Sequence, residues 1–354
     1  MMNMKMPHIG RFAAGPLNAI TDVAGVTVGH ATLDAGDVQT GVTVVRPHQG
    51  NVFMQRVPAG VAVINGFGKS VGLVQVEELG VLETPIALTN TFAVPAVSAA
   101  QIRQCVKDNP ACGRDLPTVN PLVLECNDGY LNDIQQMAVS EAHYLEAYAL
   151  AQSRFTQGAV GAGRGMSCFK LKGGIGSSSR EVAVSASKRY RVGALVLANF
   201  GQLANLTVAG CAVGKDLAAL PHTESHGADK GSIILLVATD APLDARQLHR
   251  LAVRAGAGLA RTGSFYGHGS GDIALAFSTA YTLPQDVLND LYEVALLHDN
   301  LLNDVFEAVA DSIEQAILSA LWHAQTLTGR QGHQRLSLLD ALAGLPLERR
   351  PHWC

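Results

Sequence analysis

Three runs of apolar, strand-forming residues stand out in the second half of the chain, at residues 191–199, 232–240 and 272–279. In the middle run, Ser232 is followed by seven strand-compatible residues without a charged break. A strand of this kind is covered on both faces, because an exposed face would carry alternating polar residues. Both faces of the sheet therefore need a covering layer, and the sequence predicts a layered α/β domain.

Shorter segments indicate the rest of this architecture. Strands are predicted at residues 25–30, 41–45, 61–65 and 85–90. Helices are predicted at residues 69–79, 93–106 and 140–154, from 240–244 to about 262, and from about 300 to 327. No repeat or linker divides the chain, so we expect one domain over residues 1–354.

Three segments are predicted to lie outside strands and helices. The glycine-rich residues 158–165 and 173–180 are interpreted as turns or anion-binding loops, because glycine tolerates the backbone conformations that such loops need. The polar residues 215–230 are interpreted as a surface loop.

Composition argues against several classes of protein. The chain of 354 residues has a formal net charge of −4, and without a dense basic run nucleic acid is not an expected partner. No apolar run reaches the roughly 18 residues of a membrane span. The N-terminus shows no apolar signal-peptide core, and the six cysteines are scattered, which is typical of reduced thiols in a cytoplasmic protein.

Four common site motifs fail on spacing. Residues 161–165 lack the third glycine of a dinucleotide fingerprint, and the segment ending at residues 68–70 lacks the first glycine of a phosphate-binding loop. No G-x-S-x-G elbow occurs. His222, Glu224 and His226 lack the helical spacing of a zinc motif and are interpreted as part of a solvated loop. We therefore predict neither a metal nor another cofactor.

Polar residues mark the ends of the apolar runs. Asn199 ends one run, Ser232 begins the next and Asp272 begins the third, with Ser270 two residues earlier. These ends converge if the middle strand is antiparallel to its neighbours, or if a loop returns the chain to the same edge. The alternative is that each residue is only a turn former, since Asn, Asp and Ser are common in turns.

The junction of Gly231 and Ser232 belongs to a longer resemblance. Segments that resemble the L-aminopeptidase/D-esterase (DmpA) family, which includes the β-peptidyl aminopeptidases, occur in the same order at residues 17–30, 64–69, 77–80, 125–133, 173–180, 198–201, 231–243 and 269–272. So many ordered matches make a chance similarity implausible.

The resemblance implies a four-layer αββα sandwich, which is like the N-terminal-nucleophile hydrolases in its layers but not in its strand connectivity. It also implies that the chain is cut before Ser232 into a large piece, residues 1–231, and a small piece, residues 232–354. The two pieces stay together, and proteins of this family usually form tetramers.

The resemblance further implies a covalent mechanism. Ser232 Oγ attacks the Gly231 carbonyl, and the α-amine that is released then acts as a base near its ordinary pKa of about 7.7–8.0. Asn199 matches a position whose amide holds the oxyanion. Ser270 and Asp272 match a Ser-x-acid pair that orients and activates the nucleophile. Many relatives have Glu where this chain has Asp272, so its carboxylate arm is one methylene shorter.

Two further residues are assigned by the same resemblance. Tyr130 matches a tyrosine whose hydroxyl lines the site, and Glu125 is expected to bind the substrate ammonium group. The alternative for both is an ordinary turn at residues 126–130. The expected substrates are short peptides, amino-acid amides or esters with a free amine.

Two other functions remain open at this point. The related ornithine acetyltransferases also cut themselves, but before a threonine, so acyl transfer to an acceptor other than water is an alternative. A non-catalytic binding protein would keep the fold and lose the reactive residues, whereas Asn199, Ser232, Ser270 and Asp272 are all present.

Overall fold

The computed structural model describes residues 5–220, 231–287, 290–351 and 353. Its strands are β1 (Thr27–Ala35), β2 (Val38–Arg46), β3 (Gln55–Gly66), β4 (Val81–Leu82), β5 (Ile86–Asn90), β6 (Val123–Cys126), β7 (Ser167–Cys168), β8 (Leu171–Lys172), β9 (Gly174–Ala183), β10 (Arg189–Asn199), β11 (Ser232–Thr239), β12 (Gly271–Ser278), β13 (Leu283–Pro284), β14 (Leu327–Thr328) and β15 (Gln334–Arg335). Its helices are α1 (Leu73–Leu79), α2 (Val94–Asp108), α3 (Glu141–Ala149), α4 (Gly214–Ala218), α5 (Ala245–Arg261), α6 (Asn303–Trp322) and α7 (Leu338–Ala343). Each predicted strand and helix overlaps an observed one.

The strands form two main sheets, whose facing sides share one core. The larger sheet has the order β13-β3-β12-β11-β10-β9, with β4 beside β3, and the smaller has the order β1-β2-β5-β6. Side chains of β11 alternate between two cores: Leu235 packs in the core that includes α5 and α6, whereas Leu236 packs between the sheets. Helices α2 and α3 pack on the outer face of the smaller sheet. The predicted αββα sandwich is therefore confirmed.

The prediction of a turn or loop at residues 173–180 is wrong, because most of this segment belongs to strand β9. Its glycines allow close packing rather than a turn. A Cβ at Gly176 would lie 1.9 Å from the carbonyl oxygen of Ala316 in α6, so the helix packs this closely only on a residue without a side chain. The other glycine-rich segment does contain the predicted turn, a 3₁₀ helix at Gly161–Gly163.

Several helix ends differ from the predictions for local reasons. Helix α1 begins four residues later than predicted, after Gly72 in a left-handed conformation with φ of 93°. Helix α3 ends five residues early, because Gln152 leaves it to exchange backbone hydrogen bonds with Val28 of β1. Helix α6 is three residues shorter at its start and five at its end.

The predicted loop at residues 215–230 falls only partly within the structure. Its first residues belong to helix α4, and residues 221–230 lie outside the described residues, with His222, Glu224 and His226 among them. No helix in the described part of the chain is long and apolar enough to cross a membrane. The described residues also contain no group of three or more His, Cys, Asp or Glu side chains that would hold a metal ion.

Candidate active site

The polar residues predicted at strand ends, Asn199, Ser232 and Asp272, lie at one end of the larger sheet. Strands β10 and β11 are antiparallel, with Asn199 paired with Ser232. Strands β11 and β12 are parallel, with Ile233 paired with Asp272. The end of β10 and the starts of β11 and β12 therefore meet at one edge, and the structure brings Asn199, Ser232 and Asp272 together.

Ser232 is the first residue of β11, and only 6% of its surface is exposed. Its Oγ accepts a hydrogen bond from the backbone N–H of Gly271 at 3.1 Å. The preceding residue, Gly231, has no room for a side chain, since a Cβ would lie 2.3 Å from Asn199 O and 2.5 Å from Phe200 Cα. The predicted cleavage bond is thus pressed against the end of β10, where only glycine fits.

Ser270 and Asp272 are buried and form a hydrogen-bonded group with the half-buried Asn65 beside Ser232. Ser270 Oγ lies 2.8 Å from Asp272 Oδ2 and 2.8 Å from the carbonyl oxygen of Gly267. The hydroxyl has one hydrogen, and the charged carboxylate is the stronger acceptor for it. Asn65 Nδ2 donates to Gly267 O at 2.6 Å and to Ser270 Oγ at 2.9 Å, which leaves the serine hydrogen directed at Asp272.

The geometry of this group shows whether the shorter Asp272 side chain reaches Ser270, and it adds Asn65 to the candidate site. The shorter arm of Asp272 still reaches Ser270, so the missing methylene does not break the pair. Asn65 was not among the predicted site residues. Its signal in the sequence was a polar residue at the end of a predicted strand, the same signal that marked Asn199. Its role depends on the pairing of β3 with β12, which the sequence does not show.

The carboxamide of Asn199 is held at both of its polar atoms. Oδ1 accepts a hydrogen bond from the backbone N–H of Ser167 at 2.8 Å, and Nδ2 donates to the carbonyl oxygen of Asn127 at 2.9 Å. An amide nitrogen carries two hydrogens, so the second N–H has no acceptor among the described residues. A fixed amide with one uncommitted N–H can donate to a developing oxyanion.

Tyr130 lies next to the segments that hold Asn199. Its ring stacks on His333, with ring centres 4.7 Å apart, and the Arg335 guanidinium lies 3.5 Å from the ring centre. Arg335 Nε also donates to Ser167 Oγ at 3.3 Å. The C-terminal segment that supplies His333 and Arg335 was not predicted to contribute, since nothing in its sequence resembles a site motif.

Glu125 lies on the smaller sheet, where 3% of its surface is exposed. Its Oε1 accepts a hydrogen bond from the backbone N–H of Lys69 at 2.8 Å, and its Oε2 accepts one from Thr91 Oγ1. A Cβ built on Gly68 would lie 3.7 Å from Glu125 Oε1 and 3.8 Å from Gly271 Cα. The carboxylate is therefore close to the segment that contacts Ser232, although it comes from the other sheet.

Cys126 is a buried thiol near the carboxylates of Glu125 and Asp272. Burial raises the pKa of Cys126 well above its ordinary value, and the charges of Glu125 and Asp272 raise it further. This thiol therefore remains protonated and is a poor nucleophile. The reactive groups that remain are a serine hydroxyl, an amide donor and two carboxylates, which is a set suited to acyl transfer through serine.

Comparison with known proteins gives matches over nearly the whole chain. The family model of peptidase family S58 matches residues 18–335. The β-peptidyl aminopeptidase BapA of Sphingosinicella microcystinivorans is 39% identical over 372 aligned residues, which cover 98% of this chain and 92% of that protein.

Solved structures agree in fold. The PH0078 protein from Pyrococcus horikoshii OT3 has a TM-score of 0.90 at 46% identity, with 97% of this chain and 98% of that chain covered. The L-aminopeptidase D-Ala-esterase/amidase from Ochrobactrum anthropi, described as a prototype for the serine aminopeptidases and a variant of the Ntn hydrolase fold, has a TM-score of 0.88 at 34% identity, with 96% of each chain covered. On these matches the chain belongs to peptidase family S58 and is a hydrolase with an Ntn-type fold.

Proposed function

We propose that the chain is a serine aminopeptidase, amidase and esterase whose nucleophile, Ser232, is released by cleavage of the Gly231–Ser232 bond. The observation that carries this proposal is the position of Ser232. It begins a buried strand directly after a glycine, is paired with Asn199, and its hydroxyl oxygen contacts Gly271 next to Asp272. The names of the relatives, β-peptidyl aminopeptidase and serine aminopeptidase, support the same chemistry.

Self-cleavage would begin with attack of Ser232 Oγ on the carbonyl carbon of Gly231. The tetrahedral intermediate then breaks its C–N bond, the nitrogen takes up the hydroxyl proton, and the acyl group stays on Oγ as an ester. Water hydrolyses this ester, which leaves a carboxylate on Gly231 and a free hydroxyl and α-amine on Ser232. The products are residues 1–231 and 232–354.

Turnover would use the groups that cleavage has released. The α-amine of Ser232, with an ordinary pKa of about 7.7–8.0, takes the hydroxyl proton as Oγ attacks the substrate carbonyl. The second N–H of Asn199 donates to the oxyanion, and Ser270 with Asp272 orients the nucleophile. The leaving amine or alcohol takes the proton back, and water then hydrolyses the acyl-enzyme.

Glu125 would select substrates that carry a free amine. Its carboxylate is fixed by Lys69 N–H and Thr91, so it offers a positioned negative charge to an ammonium group. Tyr130 would line the same site. The proposed substrates are short peptides, amino-acid amides and esters. We include β-amino compounds because two relatives are named β-peptidyl aminopeptidases.

We further propose that the processed pairs form a homotetramer in the cytoplasm. The described cysteines are free thiols, as a reducing compartment requires. Light scattering on processed protein should give four times the mass of one processed pair. The mass of a single pair would contradict the tetramer.

A panel of substrates tests the proposed activity. It contains L-α-aminoacyl and β-aminoacyl p-nitroanilides and D-amino-acid esters, each with its N-acetylated counterpart. We expect hydrolysis of free-amine substrates, and at least about 30-fold slower hydrolysis after N-acetylation, since a buried charge partner is lost. Equal rates on acetylated compounds would contradict an aminopeptidase. Acetyl transfer from N-acetylornithine without hydrolysis would instead indicate an acyltransferase.

A further inference from the structure

Lys172 is a buried cation outside the residues discussed so far. Its side chain is fully buried at the end of the β7–β8 hairpin. Its Nζ donates hydrogen bonds to three carbonyl oxygens, those of Gly173 at 2.7 Å, Met166 at 2.8 Å and Gly163 at 3.1 Å. Burying an ammonium group is unfavourable unless its donors are satisfied, and here each of the three N–H groups has an acceptor.

One of these carbonyls connects Lys172 to Asn199 through a single peptide group. The C=O of the peptide that joins Met166 and Ser167 accepts from Lys172 Nζ at 2.8 Å. The N–H of the same peptide donates to Asn199 Oδ1 at 2.8 Å. A cation at the carbonyl polarises the peptide and strengthens its N–H as a donor, and hydrogen bonds in such a chain reinforce one another. The amide N–H of Asn199 is therefore both oriented and polarised from the Lys172 side.

We propose that Lys172 is a positioning residue for the oxyanion-binding amide of Asn199, acting through the peptide between Met166 and Ser167. This proposal rests on the proposed function of Asn199. Lys172 contacts neither the substrate nor Ser232 in this role. A purely structural role, in which Lys172 only fixes the turn that contains Gly163, is the alternative to be separated.

The hydrogen bond from Lys172 to the Met166 carbonyl does not require the charged form of the lysine. Burial lowers the pKa of the Lys172 ammonium to about 7; Arg164 lowers it too, whereas Cys168 and Asp128 raise it. The neutral amine still has two N–H donors, enough for the two shorter contacts, to Gly173 and Met166. The orienting hydrogen bond to the peptide thus persists in both protonation states.

A double-mutant cycle with Lys172→Met and Asn199→Ala tests the proposal in the processed enzyme. Rates are normalised to titrated active sites, so that misfolded protein does not count. In the wild-type background, Lys172→Met should lower kcat by about 10- to 100-fold with KM within about threefold, because the oxyanion donor is misplaced. In the Asn199→Ala background it should cost less than about threefold more. Equal losses in both backgrounds would overturn the proposal.

Three further variants keep this result interpretable. Lys170→Met, a half-buried lysine in the same hairpin, should leave kcat within about twofold. If Lys172→Met does not fold, Lys172→Gln, which retains two N–H donors on a shorter, uncharged side chain, takes its place in the cycle. Its loss of kcat should be smaller, and that loss should still disappear in the Asn199→Ala background. An active Ser232→Ala would overturn the proposed function and this role with it, whereas an inactive Ser232→Ala with uncoupled Lys172 variants overturns this role alone.

Discussion

Strands β11 and β12 have buried hydroxyl residues at or next to both of their ends, but these hydroxyls form different hydrogen bonds at the two ends. At the end away from the site, Thr239 Oγ1 donates to Arg191 O at 2.7 Å and accepts from Ala241 N at 3.1 Å. Ser278 Oγ there donates to Ala241 O at 2.6 Å. These hydroxyl hydrogens are used to satisfy backbone groups, as buried polar groups usually are.

At the other end, Ser232 is buried to a similar degree and behaves differently. Its Oγ accepts from Gly271 N, and its hydrogen has no acceptor within the described part of the chain. A nucleophile needs a hydroxyl whose proton is free to move to a base. If Ser232 is the nucleophile, as proposed, neither residue type nor burial separates a structural hydroxyl from a reactive one, whereas the partner of the hydroxyl hydrogen does.

The largest expected effect is the loss of the Ser232 hydroxyl, with removal of the Ser278 hydroxyl at the opposite end as the control. Ser232→Ala should remain uncut and lose at least about 10⁴-fold in activity, since the nucleophile is gone. Ser278→Ala should be cut normally and keep its kcat/KM, while its free energy of unfolding falls by about 1 kcal/mol because Ala241 O loses its donor. Intact mass, steady-state kinetics and thermal unfolding measure the three quantities. An uncut Ser278→Ala would remove the distinction between the two ends.

The next effect concerns the amide at the reactive end. Asn199→Ala should lower kcat/KM by about 10²–10³-fold with little change in KM, because one oxyanion donor is lost. Thr239→Val at the opposite end is the control, and its kcat/KM should stay within about twofold. A loss of less than tenfold for Asn199→Ala would mean that another group binds the oxyanion.

A smaller effect is expected for Asn65, which holds the Ser270–Asp272 pair. Asn65→Ala removes the donor to Gly267 O and frees the Ser270 hydroxyl to turn toward that carbonyl. The loss of about one hydrogen bond in the positioning of the pair predicts a fall in kcat of about tenfold. Steady-state kinetics check this, with the exposed Asn300→Ala as control. An unchanged kcat would show that the direction of the Ser270 hydroxyl is immaterial.

The smallest effect lies in the pH dependence of stability at the non-reactive end. Burial raises the pKa of Asp240 above its ordinary value of 3.8. The folded chain thus binds this proton more tightly than the unfolded chain, so the contribution to stability is present below pH 3.8 and is lost as the pH rises through the raised pKa. Asp240→Asn, compared with the exposed Asp290→Asn, should make the free energy of unfolding fall less over this range at unchanged activity. A wild-type slope in Asp240→Asn would contradict this.

The sequence predicts the strands and helices well, because apolar runs and helical periodicity are local patterns, whereas the four-layer arrangement was implied by the family resemblance. The prediction at residues 173–180 fails because Gly176 of β9 allows helix α6 to pack closely instead of forming a turn, and close packing between distant segments has no local signal. The meeting of Asn199, Ser232 and Asp272 was conditional on strand direction. Strand β11 is antiparallel to β10, as that condition requires, but parallel to β12, and the parallel pairing places the start of β12 at the same edge.

Contributions to the site from distant segments were harder to predict. Asn65 contacts Ser270 across about two hundred residues, and its position at a strand end did not show this partner. Ser167 contacts Asn199 across about thirty residues, and nothing in its local sequence marks it. Arg335 contacts Tyr130 although it lies about two hundred residues later in the chain. The resemblance to known family motifs named the residues that are proposed for the centre of the site, whereas their supporting partners became visible only in the three-dimensional structure.

The central claim is that Ser232 becomes a useful nucleophile only after the bond to Gly231 is broken. Denaturing mass spectrometry of catalytically active wild-type protein tests it most directly. We predict two chains, residues 1–231 and 232–354, with Ser232 at the new amino terminus. Full activity in a preparation that contains only the intact chain of 354 residues would contradict the account.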